Sequence, residues 1–339
     1  MKKRIGKQTV QFRNPVNILA AAAVAGQKES QGPLAQYFDI LMENAEWGEA
    51  SWEKAESKMQ RSAVARALEK ARADAKDMRY IFAGDLLNQC ISSTFGLMGF
   101  DIPFMGVYGA CSTMAETIGL ASMSIDGGFA DYSVAVTSSH FCTAERQYRN
   151  PLEYGGQRTP TAQWTVTGSG AVVLSEDGNG PFVTHFTSGK VVDMGIVDAN
   201  NMGAAMAPAA VDTLVAHFED TGRSPDFYDL ILSGDLGVVG KSIAIDLMEK
   251  QGFDLSHNYD DCGCMIFDIE KQDMHAGGSG CGCGAATLCG YVMDMFRAGK
   301  VRNVLFMGTG ALLSPTSSLQ GESIPSVAHA VAISAEREN

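Results

Sequence analysis

Apolar residues recur at helical spacing over residues 52–78. Ala63, Val64, Ala67, Leu68 and Ala71 share one face, Ser51 stands where a cap belongs, and Glu53 and Glu56 occupy the first turns. A continuous apolar run follows, Tyr80-Ile81-Phe82-Ala83, and ends at the corner Gly84-Asp85-Leu86. Unbroken rather than alternating hydrophobicity predicts a short strand covered on both faces. The same device returns at Asp229-Leu230-Ile231-Leu232-Ser233, followed by Gly234-Asp235-Leu236.

Two further pairs of segments match. Residues 109–138 align without a gap on residues 280–309, with Gly109/Gly280, Ala115/Ala286, Gly119/Gly290 and Gly128/Gly299 coincident. Each reads as a Gly-rich corner, a helix of small residues, a Gly turn and a buried strand. Ala171-Val172-Val173-Leu174-Ser175 likewise matches Ala330-Val331-Ala332-Ile333-Ser334. Three matches in one order predict a duplicated α/β unit. Small residues along both central helices predict close packing between two sheets, in layers α/β/α/β/α. The halves would be 1–178 and 179–339, joined by the turn-rich run 175–180.

The N-terminus offers two readings. Lys2, Lys3 and Arg4 before the apolar run 16–26 imitate a secretory leader. Gln8, Gln11, Asn14 and Asn17 interrupt it and Thr9-Val10-Gln11-Phe12 alternates, so a first strand is expected and no signal peptide. No apolar run reaches the ~18–20 residues of a transmembrane helix.

Composition narrows the class further. Of 339 residues, 45% are hydrophobic and 19% charged, as in a packed globular chain. A net charge of −13 excludes a nucleic-acid partner, which demands a positive surface. The eight cysteines are too sparse for a disulfide framework. The pairs Cys262/Cys264 and Cys281/Cys283 have one-residue spacers, unlike structural zinc sites, and no metal site is expected.

The sharpest motif is Gly109-Ala110-Cys111-Ser112-Thr113. A cysteine at a helix start meets free N–H groups and the positive end of the dipole, which favour a thiolate. Gly109 permits the sharp turn that nucleophile-bearing corners need. The pentapeptide also suits a buried structural cysteine. Other signals are weaker: Gly280 to Ala285 matches G-x-G-x-x-A without a clear preceding strand, and Gly237 to Ser242 has glycines too close for a phosphate loop. Asp260-Asp261 is read as a polar turn rather than a calcium site.

With these features the chain resembles the thiolase superfamily, which includes ketoacyl-carrier-protein synthase III. The resemblance rests on the duplication, the Cys111 corner and Thr167 to Leu174. It implies a nucleophilic Cys assisted by a His and an Asn (or second His) from the second half. This chain departs there. The corner that would carry the His reads Ser233-Gly234-Asp235-Leu236-Gly237, and the second helix start reads Gly277-Gly278-Ser279-Gly280-Cys281-Gly282. A carboxylate at 235 would repel an oxyanion and raise the Cys111 pKa, so condensation chemistry is not expected.

A narrower resemblance fits the departure. Residues 83–89, 108–113, 138–141, 145–149 and 163–168 resemble the stage V sporulation protein AD (SpoVAD) family. That resemblance implies a non-catalytic protein that binds dipicolinic acid (pyridine-2,6-dicarboxylate). It would be peripheral to the inner membrane of the forespore and spore. There it would work with other SpoVA membrane proteins that move dipicolinate and calcium inward and release them on germination. A homodimer is also implied. No cofactor is expected, although calcium could travel with the ligand. The alternative is an acyltransferase that uses Cys111 as thioester nucleophile, with His140 or His275 as base. A third class is a purely structural scaffold.

A flat dianion needs donors, a slot for its ring and local positive charge. Cys111, Ser112 and Thr113 at the helix start, His140 after the strand 134–136, and Arg146, Arg149 and Arg158 in the following loop are the first-half candidates. Asp235 and Ser279 are their second-half counterparts. Each Arg equally suits a solvated loop, and His140 a satisfied core histidine. An acidic protein repels a free dianion at long range, so either a basic pocket mouth or a neutral calcium chelate is expected.

Overall fold

A computed structural model describes residues 3–148 and 158–337. The run that imitates a leader is part of the first strand, β1 (Thr9–Ala25), whose last five residues are all buried. Labelled in chain order, the other strands of the main sheet are β2 (Ile40–Leu41), β3 (Tyr80–Asp85), β4 (Phe104–Gly106), β5 (Tyr132–Ser139), β7 (Gly168–Ser175), β8 (Phe182–Thr187), β9 (Leu230–Ser233), β10 (Tyr259–Asp261), β12 (Asn303–Ala311) and β13 (Ser326–Ser334). A two-stranded parallel ribbon, β6 (Trp164–Thr165) with β11 (Gly278–Ser279), stands apart from it.

The duplication is written in the strand order. One side runs β4-β3-β5-β7-β1 and the other β10-β9-β12-β13-β8. The segment pairs matched in sequence occupy equivalent places: β3 with β9, β5 with β12, β7 with β13. The expected two sheets are joined into one. Strand β1 pairs antiparallel with β7 on one side and with β8 on the other, and its register against β8 shifts between Gln11 and Val16. That irregularity lets the sheet change direction while its backbone groups stay paired.

Five layers follow. Helix α1 (Trp52–Ala71) packs outside β1, β7 and β5, beside α2 (Ile91–Leu97). Helices α3 (Thr113–Asp126) and α8 (Cys281–Thr287) lie in the middle and touch strands of both sides. Helices α5 (Met202–Thr221) and α6 (Gly237–Lys250) cover the second outer face. Two shorter helices, α4 (Phe141–Tyr148) and α7 (Cys262–Met265), complete those used below. The middle layer is tight enough to need glycine. A Cβ on Gly310 of β12 would lie 2.2 Å from the Gly109 carbonyl oxygen, which seats the Cys111 turn directly on the second half.

Helix α1 is shorter than its pattern. Ser51 caps it through the Lys54 N–H, but Arg72 turns left-handed (φ 53°) and the Ala73 N–H bonds back to Leu68, so the helix stops at Ala71. Asp261 also differs from the expected polar turn. Its buried carboxylate accepts N–H bonds from Leu236, Gly237 and Gly263 at 2.8, 2.9 and 2.9 Å, and the Ser233 hydroxyl at 2.6 Å.

Burial displaces many titrations. Desolvation pushes Glu29 up to about 7 and Glu56, which also faces Asp85, up to about 8; Asp235 rises to about 7. It pushes His185 and His217 down to about 3 and His329 to about 4. The histidines titrate near 6.5 when unfolded, so below that pH the unfolded chain binds more protons and stability falls with acid. The acids act oppositely. Unfolded, they release protons near pH 4; folded, they hold them to 7 or 8, so stability falls as pH rises through that window. Above about pH 6.5 the acids dominate, each by about 1.4 kcal/mol per unit of the displacement that remains between that pH and its folded value. The melting temperature should therefore fall between pH 6.5 and 8, and Glu56→Gln should flatten that fall. A melting temperature constant or rising over the same window would contradict the assignment.

Candidate functional site

Cys111 lies on the single 3-10 turn Ala110–Ser112 that leads into α3. Ala110 is left-handed at φ 50°, a strained conformation for a residue with a side chain. The turn is closed by its own hydroxyls. Ser112 Oγ donates to the Gly109 carbonyl at 2.7 Å, and Thr113 Oγ1 to the Ala110 carbonyl at 2.6 Å.

The half-buried Cys111 lines a cavity of about 230 Å³ between the two halves. Leu86, Tyr108 and the α4 residues Ala144, Glu145 and Tyr148 form the first-half wall. Thr165 and Ser279 of the small ribbon, Gly280, Asn200, Met202 and Leu313 also line the cavity, with Ala110, Ala199 and Ala311 between them. Tyr108 and Tyr148 join hydroxyls at 2.9 Å, and the Tyr148 hydroxyl donates to the Leu86 carbonyl.

Behind the thiol is Asp235, fully buried. Its Oδ2 accepts the Gly280 N–H at 2.8 Å and its Oδ1 the Thr309 hydroxyl at 2.7 Å, while its side chain also meets the Cys111 thiol. Burial drives the Cys111 pKa well above 9; the neighbouring Asp235 carboxyl and the Cys281 thiol add to the rise, and the Gly280 N–H only partly offsets them. The helix-start effect that would favour a thiolate therefore loses to desolvation and like charge. At neutral pH the group is a neutral thiol. Cys281 is also committed: its thiol donates to the Ser138 carbonyl at 2.9 Å.

Of the residues singled out from sequence, Cys111 and Ser279 line the cavity and Asp235 backs it. The others lie elsewhere. Ser112 and Thr113 turn their hydroxyls onto their own turn. His140 is buried with Nε2 2.9 Å from the Ala45 carbonyl, and its Nδ1 accepts the Cys142 N–H, away from the thiol. His275 is held by the Thr159 carbonyl and Asp273. Arg146 pairs with Glu53, lies over Trp52 and lines a different, outer cleft. Arg158 reaches Asp273 and stacks on Trp164 at 5.0 Å. Arg149 lies outside the described residues.

A basic mouth is not found: among the described residues, the one charged side chain in the lining is a carboxylate, Glu145. Nor do the described residues contain a cluster of three or more metal-ligating side chains. Tyr108, Tyr148, Glu145 and Asn200 were not singled out by sequence reasoning. Tyr108 stands three positions before Cys111 and Tyr148 lies in the run Glu145 to Arg149, so proximity to a motif could have found them; Asn200 carried no such signal.

Doubled strand order, five layers and a cysteine turn facing the second half's helix start define a thiolase-like protein. The 3-oxoacyl-[acyl-carrier-protein] synthase III of Aquifex aeolicus superposes over 94% of this chain and 99% of its own, with a TM-score of 0.58 at 13% identity. OleA of Xanthomonas campestris bound to cerulenin does so over 95% and 97%, with a TM-score of 0.58 at 13% identity. At those identities the likeness is one of fold. Sequence places the chain more narrowly. Residues 6–334 match the stage V sporulation protein AD family, and the stage V sporulation protein AD of Bacillus subtilis (strain 168) is 46% identical over 329 residues, 97% of each chain. The chain belongs to the stage V sporulation protein AD family. Among its described residues no helix is long and apolar enough to cross a membrane.

The Asp235 contacts make two predictions. Asp235→Asn removes the charge facing Cys111, so iodoacetamide should alkylate Cys111 faster, about tenfold for each pKa unit released while the thiol is mostly protonated. Asp235→Ala strips two buried donors of their acceptor and should cost about 2–4 kcal/mol in urea unfolding. An unchanged alkylation rate in Asp235→Asn, mapped by mass spectrometry, would remove Asp235 from the control of the thiol.

Proposed function

We propose that this protein is a non-catalytic member of the thiolase-like fold that binds dipicolinate in the Cys111 cavity. The Cys111–Asp235 contact carries the reading. Acyl transfer needs a thiolate, a proton acceptor and donors for an oxyanion; here a neutral thiol faces a buried carboxyl, and no histidine lies in the described lining. The size agrees with a single-ring ligand, since about 230 Å³ falls below the ~300–1,000 Å³ of pockets for drug-sized molecules. Leu86, Ala144, Met202 and Leu313 supply apolar contacts for a ring, and Tyr108, Asn200, Thr165 and Ser279 supply donors.

The net charge of −13 supports the chelate over the bare dianion, because a neutral calcium chelate escapes long-range repulsion. The protein would act at the inner membrane of the forespore and spore with other SpoVA proteins. Titration calorimetry tests this. Dipicolinate with calcium should bind with little dependence on salt, and dipicolinate with a chelator present should bind more weakly. No heat from either form, together with acylation of Cys111 by an acyl-CoA, would replace the reading with the acyltransferase. One observation favours that second reading: Asp235, near 7, could accept the thiol proton.

We also infer a homodimer through β4. All three residues of this sheet-edge strand are exposed, with Phe104 and Met105 each at 42%, whereas its counterpart β10 has Tyr259 and Asp261 buried. An open edge offers unpaired backbone groups that a twofold mate could complete. Sedimentation should find dimers for the native chain and monomers for Met105→Pro; a native monomer at micromolar concentration would exclude it.

A further inference from the structure

Two loops roof the Cys111 cavity, and their outer side has no part in the reading above. Residues 188–201 connect β8 to α5, and residues 312–325, which include a capped helix at Pro315–Leu319, connect β12 to β13. The loops are tied together: the Ile324 N–H donates to the Ile196 carbonyl at 2.7 Å, the Ser323 hydroxyl donates to Asp193, and Val192 exchanges two 2.8 Å backbone bonds with Ser326 at the start of β13. Their inner side is cavity wall, through Ala199, Asn200 and Leu313. Their outer side carries Val191, Met194, Val197 and Leu319, exposed at 63%, 67%, 64% and 89%.

These are four of the six most exposed large apolar side chains among the described residues. Single exposed apolar residues are ordinary on any surface, but four on one tied pair of loops mark a surface made for contact. Charge indicates the occupant. The two loops hold Asp193, Asp198 and Glu322 against one cation, Lys190, and Lys190 is already paired with Asp212 at 2.8 Å.

We propose that the outer face of this loop pair docks a basic amphipathic segment of a partner protein. Its apolar side chains would lie on Val191, Met194, Val197 and Leu319, and its Lys or Arg beside the three carboxylates. An anionic lipid surface fits poorly, because it would meet those carboxylates and a chain of net charge −13. Val197 stands two residues from the cavity-lining Ala199, so an occupant also restrains the roof over the ligand. The inference extends the proposed function, but its test uses no dipicolinate, and the two therefore fail separately.

The test is fluorescence anisotropy of the full chain with a labelled amphipathic Leu/Lys helical peptide, its Leu/Glu counterpart, and phosphatidylglycerol vesicles. The Leu/Lys peptide should bind, more weakly as salt is raised. The double variant Met194→Asp/Val197→Asp and, separately, Asp198→Lys/Glu322→Lys should each weaken it about tenfold or more, as expected for loss of an apolar anchor or reversal of a charged rim. Phe95→Asp/Met98→Asp, on the exposed surface around α2, should bind as the native chain does. Equal binding of the Leu/Glu peptide, native-like binding by either loop variant, or binding to vesicles alone would overturn the proposal.

Discussion

The carboxyl of Asp235 holds together the second-half corner that faces Cys111 of the first half. It leaves the corner after β9, takes the Gly280 N–H at the start of α8 and the Thr309 hydroxyl of β12, and faces the Cys111 thiol of the first half. The duplication makes clear why it is available. In the first half, the equivalent Asp85 is spent on its own corner, accepting from Leu87 N–H at 2.9 Å and from the Ser93 N–H and hydroxyl. In the second half that bracing falls to Asp261, which reaches across from β10 to the Leu236 and Gly237 N–H groups. With the corner held by another residue, Asp235 is released to the interface. One repeated tripeptide thus has two jobs, separated by a single additional carboxylate.

The same arrangement supports the proposal that a fold shared with ketoacyl synthases here departs from their chemistry. A helix start beside a cysteine favours the thiolate only while the site is otherwise neutral or positive. Here burial and the Asp235 carboxyl together outweigh the helix, and the thiol keeps its proton.

Much of this was legible in the sequence, at the level of elements. Gapless repeats, unbroken apolar strands and the Gly-Asp-Leu corners record backbone packing, and backbone packing follows from residue size and hydrophobicity at fixed spacing. The site was legible only where a residue is fixed by its place in such an element: Cys111, Asp235 and Ser279 sit on the repeated corners, the first and last lining the cavity and Asp235 standing behind the thiol. His140, Arg146 and Arg158 were chosen for their chemistry, and long or aromatic side chains answer to the nearest partner. Ala45, Glu53 and Asp273 claimed them, from sequence positions that no local pattern links to the motif. The cavity roof was invisible for a similar reason, since Asn200 and Leu313 come from loops whose course is set by their bonds to one another.

Strand β1 sets a limit on how the cavity can open. Because it is hydrogen-bonded to β7 of the first half and β8 of the second, the two halves share one continuous sheet. Swinging them apart would require rupturing a row of main-chain bonds, a far greater cost than moving a surface segment. The shared sheet therefore resists relative motion of the halves. A ligand of the proposed function would then exchange by movement of surface segments rather than of whole halves, and its exchange rate would report on those segments.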